Sequence, residues 1–124
     1  MTTSLLVILG SALGGLARYW LQIGVAALTG PRLPWGTLLI NVTGSFVIGA
    51  FAVLSAPDGR TPLGADLRIF VMVGICGGFT TFSSFSLQSV DLIRAGLSGW
   101  AVAYGAGSVV LCVAAAWAGV LLGR

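Results

Sequence analysis

Residues 77–86 read GGFTTFSSFS, and they hold the side chains of this chain whose types and spacing best suit ligand chemistry. Phe79, Phe82 and Phe85 recur at intervals of three, with five hydroxyl side chains among and after them. A phenyl ring has a positive edge, so rings presented edge-on can accept an anion that hydroxyl groups also solvate. A packed helix whose hydroxyls bond to carbonyls four residues back is the simpler interpretation. Five hydroxyls in seven positions are more than such bonding requires. The pattern therefore predicts a site for an anion.

The two glycines of the stretch weaken the helix in which they lie. Each glycine in a helix interior costs about 1 kcal/mol relative to alanine, so Gly77 and Gly78 favour a break. Backbone that is irregular at membrane depth survives only inside protein or beside a cavity, and its free carbonyls often surround a cation. We therefore expect a broken helix here.

Two other apolar segments carry polar side chains at intervals of four: Thr37, Asn41 and Ser45 in one, and Tyr104, Ser108 and Cys112 in the other. Residues four apart share a helical face, so each set forms a polar stripe. Interhelical hydrogen bonds, worth about 0.6 kcal/mol each in membranes, explain a stripe without any function. A polar wall beside a water-accessible path is the functional alternative. Asn41 is the costliest member, because its amide needs partners for two donors and an acceptor.

Composition tells which solvent surrounds these residues. The chain is 57% hydrophobic and only 7% charged, whereas a soluble domain carries about a quarter charged residues. Each of its apolar runs approaches or exceeds the ~20 residues that cross a bilayer as a helix. The sequence predicts an all-α membrane protein with one four-helix domain over residues 1–124. The predicted spans are residues 4–28, 35–56, 69–90 and 100–122.

The distribution of arginines between the two sides hardly favours either orientation in the membrane. An excess of arginine in short loops marks the cytoplasmic side of a membrane protein. Here each side receives three: Arg60, Arg68 and Arg124 on one, and Arg18, Arg32 and Arg94 on the other. This balance predicts dual topology, with copies inserted both ways and paired antiparallel. The other interpretation is that Arg68 alone sets the orientation.

In these motifs the chain closely resembles the Fluc (CrcB) family of fluoride channels. The resemblance covers GGLARYW, PWGTLLINVTGSFVIG, GGFTTFSSFS and AYGAGS, one motif in each span. It implies an antiparallel homodimer in the bacterial inner membrane that passively exports fluoride through two pores and protects the cell from its toxicity. It also implies one structural sodium ion, held by backbone carbonyls matching Gly77 and Thr80. The residues that match the fluoride pore are Asn41, Phe82, Phe85, Tyr104 and Ser108, with Ser83 and Ser84 along its polar track.

One position departs from the family and two other functions stay open. Relatives often have glutamate where this chain has Gln88, which puts in doubt any step that relies on a carboxylate there. A small dual-topology multidrug transporter is one alternative, although it needs a membrane-embedded carboxylate that this chain lacks. A membrane subunit that transports nothing is the other. An enzyme is not expected, since there is no histidine, acid pair or metal-ligand cluster, and no basic patch suits nucleic acid.

Overall fold

Four long apolar helical segments make up the chain in the computed structural model, which describes residues 1–124. The segments are α1 (Thr2–Thr29), α2 (Trp35–Leu54), the segment Ala65–Arg94, and α6 (Ser98–Gly123). The shortest has 20 residues, and a helix of that length spans about 30 Å. All four are long and apolar enough to cross a membrane. The predicted all-α fold with four membrane helices is confirmed.

The segment Ala65–Arg94 is helical along most of its length but is not uniform. Its parts are α3 (Ala65–Ile69), a π-helix (Phe70–Cys76), α4 (Gly77–Phe79) and α5 (Phe82–Arg94). Thr80 and Thr81, between α4 and α5, have extended backbone with ψ values of 157° and 115°. A π-helix within a helix often marks a functional region. In this chain it leads directly into the two extended threonines.

Helix α1 packs against this segment at near-backbone contact. A Cβ atom added to Gly10 would stand 2.8 Å from the Cα of Gly74, and one added to Gly78 would stand 2.8 Å from the Cα of Ser11. No real Cβ approaches another atom that closely, so only glycine fits. Small residues let membrane helices approach each other and gain packing energy. The contact fixes α4, and hence Gly77 and Gly78, against α1.

Arginine side chains bind the α2–α3 connection and α3 itself to the ends of two helices. The guanidinium of Arg68 donates to Ala52 O at 3.2 Å and to Ser55 Oγ at 2.7 Å, at the carboxyl end of α2. Arg60 donates to the carbonyls of Leu122 and Gly123, at the carboxyl end of α6. These carbonyls have no intrahelical donors and carry partial negative charge, so a cation is favourable there.

Candidate functional site

A groove of about 370 Å³ lies on one side of the molecule, between α2, the segment Ala65–Arg94 and α6. Its lining contains no charged side chain. Six of the residues predicted to form the site line it, namely Asn41, Gly77, Thr80, Phe82, Phe85 and Ser108. Tyr104, Ser83 and Ser84 are not part of its lining. The groove therefore brings together residues that are 67 positions apart in the chain, from Asn41 to Ser108.

Asn41 binds the extended backbone between α4 and α5. Its Oδ1 accepts the backbone N–H of Thr81 at 2.8 Å, and its Nδ2 donates to the Thr81 carbonyl at 3.0 Å. An extended residue between two helices offers one donor and one acceptor without helical partners. The asparagine amide matches both, which satisfies groups that would otherwise cost about 1–3 kcal/mol each when buried.

Two carbonyls lose their usual helical donors at the same place. The N–H of Thr81 would bond to the Gly77 carbonyl in a continuous helix, but it donates to Asn41 instead. The N–H of Ser84 would bond to the Thr80 carbonyl, but it donates to Thr81 Oγ1 at 3.2 Å. Thr81 is thus the N-cap of α5, a role that suits threonine. The consequence is that the carbonyls of Gly77 and Thr80 can accept other partners.

The hydroxyls of the GGFTTFSSFS stretch divide into two groups. Thr80 Oγ1 and Ser86 Oγ donate to carbonyls four residues back, each at 2.9 Å, which is the simpler interpretation of such hydroxyls. Those of Thr81, Ser83 and Ser84 instead cluster at the start of α5. Thr81 Oγ1 lies 3.1 Å from Ser84 Oγ and 3.4 Å from Ser83 Oγ. Only this second group presents hydroxyls that are not used within the helix ladder.

Three aromatic rings follow one another from the groove toward one end of the bundle. The centroids of Phe82 and Phe85 are 5.3 Å apart, and those of Phe85 and Tyr104 are 5.0 Å apart, both with interplanar angles of 46°. Tilted rings at this spacing contact one another through edges as well as faces. Phe82 is 79% exposed, so the chain itself leaves one ring of the series largely uncovered.

The series continues from Tyr104 to a second cavity. Tyr104, which is buried, donates its hydroxyl to Gln88 Oε1 at 3.0 Å. Gln88 in turn lines a cavity of about 530 Å³ at the end of the bundle, which we call the end pocket. Its polar and charged lining residues are Gln22, Thr29, Arg32, Gln88 and Asp91. Side-chain contacts therefore connect the groove to the end pocket through Phe85, Tyr104 and Gln88.

Ser108 supplies the one buried side-chain polar atom that has no partner. Its residue is 7% exposed, its Oγ forms no hydrogen bond, and it lines the groove. Leaving a buried hydroxyl unpaired costs about 1–3 kcal/mol. A ligand that accepts a hydrogen bond removes that cost. An anion in the groove would be such a ligand, and the ring edges beside it carry partial positive charge.

Thr81 is a central residue of the site that the sequence patterns did not single out. Its backbone carries both bonds to Asn41, and its side chain caps α5. A signal for it exists, because an asparagine in mid-span requires a partner with a free donor and a free acceptor. Gln22 was also missed. Its Nε2 donates to the buried Thr37 Oγ1 at 3.4 Å, so Thr37 serves packing rather than the groove.

Comparison with known proteins gives matches over nearly the whole chain. The family model described as CrcB-like protein, Camphor Resistance (CrcB), matches residues 5–120. A protein of Rhodospirillum rubrum named fluoride-specific ion channel FluC is 53% identical over 94% of this chain and 91% of its own length. Proteins with the same name from Methylocella silvestris and Opitutus terrae are 54% and 53% identical, over 91% and 96% of this chain and 86% and 90% of their own lengths. The chain belongs to the CrcB family.

Proposed function

We propose that this protein is a fluoride-specific ion channel of the bacterial cell membrane, through which fluoride leaves the cell passively. The relatives that carry this name match more than nine-tenths of the chain. The observation that carries the proposal is the groove, which has no charged lining residue yet is lined by two phenyl rings and the unpaired hydroxyl of Ser108. A multi-pass channel is not an enzyme, and no acid in the groove is available to couple transport to protons.

Fluoride is small and strongly hydrated, so a selective path must replace its water with many donors at fixed positions. The donors that we assign to this role are the side chains of Asn41, Ser83, Ser84, Ser108 and Tyr104. Tyr104 has a single O–H, so it serves the anion only when that O–H turns away from Gln88 Oε1. The ring edges of Phe82 and Phe85 supply positive charge between them. Because none of these groups ionises near neutral pH, the path stays open to an anion without any change of protonation.

We propose further that two copies assemble as an antiparallel homodimer, with the grooves covered by the partner. A single groove is open on one side of the subunit, and Phe82, Ser83 and Gly77 on or beside it are exposed. An exposed hydroxyl at membrane depth is unfavourable against lipid, and a second copy would cover it. The near balance of arginines between the two sides supports insertion in both orientations.

The residues around the extended Thr80 and Thr81 fit a sodium ion at the interface of the proposed dimer. Carbonyl oxygens of unwound helix backbone are established ligands of sodium in membrane proteins. The carbonyls of Gly77 and Thr80 are the two that lost their helical donors here. When bound, the ion supplies fixed positive charge without a titratable group. Gly77 and Thr80 would hold it through backbone atoms alone.

Purified protein in liposomes tests the proposed channel. We expect fluoride efflux that is fast and electrically driven, with chloride efflux at background, when each anion is loaded in turn. Equal efflux of the two halides would contradict fluoride specificity. Absence of any anion efflux, with export of a cationic dye, would favour the multidrug transporter instead.

Added charge in one loop tests the antiparallel arrangement. We expect a C-terminal tag on the wild-type chain to be labelled from both sides of the membrane. The double variant Gly64→Lys/Ala65→Lys adds two cations at the exposed start of α3. These cations should hold the α2–α3 connection on the cytoplasmic side. Fluoride efflux should then fall by about tenfold or more, because opposite partners become rare. The control is Gly64→Gln/Ala65→Gln, which adds bulk without charge. Labelling of the wild-type tag from one side alone would refute dual topology.

Substitutions at the adjacent Gly77 and Gly78 test the sodium site and the dimer interface together. A Cβ atom at Gly77 would meet only Met72 O, at 3.9 Å, so the subunit itself has room for a side chain there. We expect Gly77→Val to keep its helical circular dichroism but to run as a monomer in detergent. Gly78→Val should fail within the subunit, since its Cβ would stand 2.8 Å from Ser11 Cα. Thr80→Ser should remain dimeric, because its Oγ can still donate to Cys76 O.

The ion itself is tested on the wild-type dimer. When sodium is replaced by potassium at constant ionic strength, we expect the dimer to dissociate at a lower detergent concentration or a lower temperature. A Gly77→Val protein that stays dimeric, with no dependence of dimer stability on sodium, would contradict the site.

A further inference from the structure

The end pocket is the second large cavity of the subunit and the one with charged walls. It lies where α1 and α5 end and α2 begins, and it is lined by Arg32 of the α1–α2 connection and Asp91 of α5. Both side chains are exposed. The helix ends contribute partial charges of both signs, negative from α1 and α5 and positive from α2. The side-chain charges of Arg32 and Asp91 therefore dominate the field in this pocket.

The end pocket is connected to the groove by direct contacts. Gln88 lines the pocket and accepts the Tyr104 hydroxyl, and the Tyr104 ring packs on Phe85, which lines the groove. The end pocket also faces the uncapped start of α2, where no side chain accepts the first amides and where Gly36 is part of the lining. The Trp35 amide donates to the Leu33 carbonyl, whereas the Gly36 amide has no such partner and is a donor that an anion can use. An anion leaving the aromatic series would thus arrive in this pocket.

We propose that the end pocket is the mouth of the anion route and that Asp91 limits how often fluoride enters it, by opposing Arg32. This inference rests on the proposed channel function. A cleft with low-dielectric walls focuses the field of its charges and changes the local concentration of a permeating ion. Arg32 raises the fluoride concentration in the pocket, and Asp91 lowers it. Neither residue touches the anion in the narrow part of the route, so neither should alter selectivity.

Charge-neutralising substitutions in liposomes test this assignment. At low fluoride, where arrival of the ion limits the rate, Asp91→Asn should raise efflux about threefold and Arg32→Gln should lower it about threefold. The double variant should return to near the wild-type rate. Each effect should shrink toward unity when an impermeant salt raises ionic strength to ~1 M, since the screening length falls from about 10 Å at 0.1 M to about 3 Å. The ratio of fluoride to chloride efflux should stay unchanged in all three.

Asp58→Asn is the matched control. It removes an exposed aspartate at the opposite end of the subunit, outside both cavities, and it should leave efflux unchanged. Wild-type rates in Asp91→Asn and Arg32→Gln would overturn the mouth assignment while the channel function stands. Changes that persist at high salt would also overturn it, because they would report altered structure. Absence of fluoride efflux from the wild-type protein would overturn the channel function and, with it, this inference.

Discussion

Replacing Phe82 or Phe85 with isoleucine should lower fluoride efflux by at least about tenfold while the protein still folds and assembles. Isoleucine keeps apolar bulk but has no ring edge, so a partly dehydrated anion loses compensating charge on its path. A tenfold loss corresponds to about 1.4 kcal/mol at the rate-limiting position. Methionine should be milder than isoleucine, because its thioether is polarisable. Efflux from liposomes, with dimer content measured in parallel, checks both substitutions.

Phe79 provides the matched control within the same motif. It belongs to the same spacing of three, but it is absent from the groove lining and packs beside Gly44 instead. Phe79→Ile should therefore lower thermal stability and leave fluoride efflux per dimer close to wild type. Wild-type efflux in both Phe82→Ile and Phe85→Ile would mean that the two rings only pack and that the anion travels elsewhere. Equal losses in all three variants would point to a general packing defect.

Hydropathy was sufficient to predict the four helices, because lipid exposure requires long apolar runs and backbone bonds satisfied within each segment. It did not predict where the third segment begins and ends. The helical segment begins at Ala65 and ends at Arg94, beyond the apolar run 69–90. Asp66 lies in the first turn of α3 and Arg94 in the last turn of α5, where their charges are favourable against the helix dipole. A hydropathy scale treats charged residues of this kind as the end of an apolar run.

The π-helix Phe70–Cys76 has no signal in local sequence. Its residues are ordinary apolar ones. The π-helix occurs where Gly74 comes into near-backbone contact with Gly10 of α1, which lies 64 positions earlier in the chain. The roles of Arg60 and Arg68 could not be predicted from local sequence either. Sequence patterns treat them as markers of orientation, but their guanidinium groups bind carbonyls at the ends of α6 and α2. Which carbonyl faces an arginine depends on how the helices pack.

The polar stripes show both the strength and the limit of reasoning from spacing. Intervals of four placed Asn41 and Ser108 on faces that line the groove. The same interval grouped Thr37 with Asn41, yet Thr37 is fully buried and accepts Gln22. Spacing gives the face of a helix but not the neighbour that covers each turn of it. The exposed ring of Phe82 and the open side of Gly77 follow the same logic, because in the proposed dimer the partner chain would cover them.

Asn41 should be the polar residue of the groove that tolerates substitution least. Asn41→Asp keeps an acceptor for the Thr81 N–H but sets a second carboxylate oxygen against the Thr81 carbonyl, and it adds a negative charge to an anion path. Asn41→Leu leaves both groups of Thr81 unpaired, at about 1–3 kcal/mol each. Even one such loss in the conducting state is a factor of roughly 5–150, so we expect fluoride efflux to fall by about tenfold or more in each variant.

The two Asn41 variants should differ in a second measurement. Asn41→Leu should lower the thermal stability of the dimer, because the backbone between α4 and α5 loses its only side-chain partner from α2, whereas Asn41→Asp should lose efflux more than stability. Ser45→Ala is the matched control, since Ser45 lies one turn further along the same face, lines the same groove and forms no hydrogen bond to Thr81. It should retain most of the efflux. If Asn41→Asp conducts fluoride at the wild-type rate, then the anion does not pass within reach of the Asn41 amide, and the bond to Thr81 serves only to hold the two extended threonines in place.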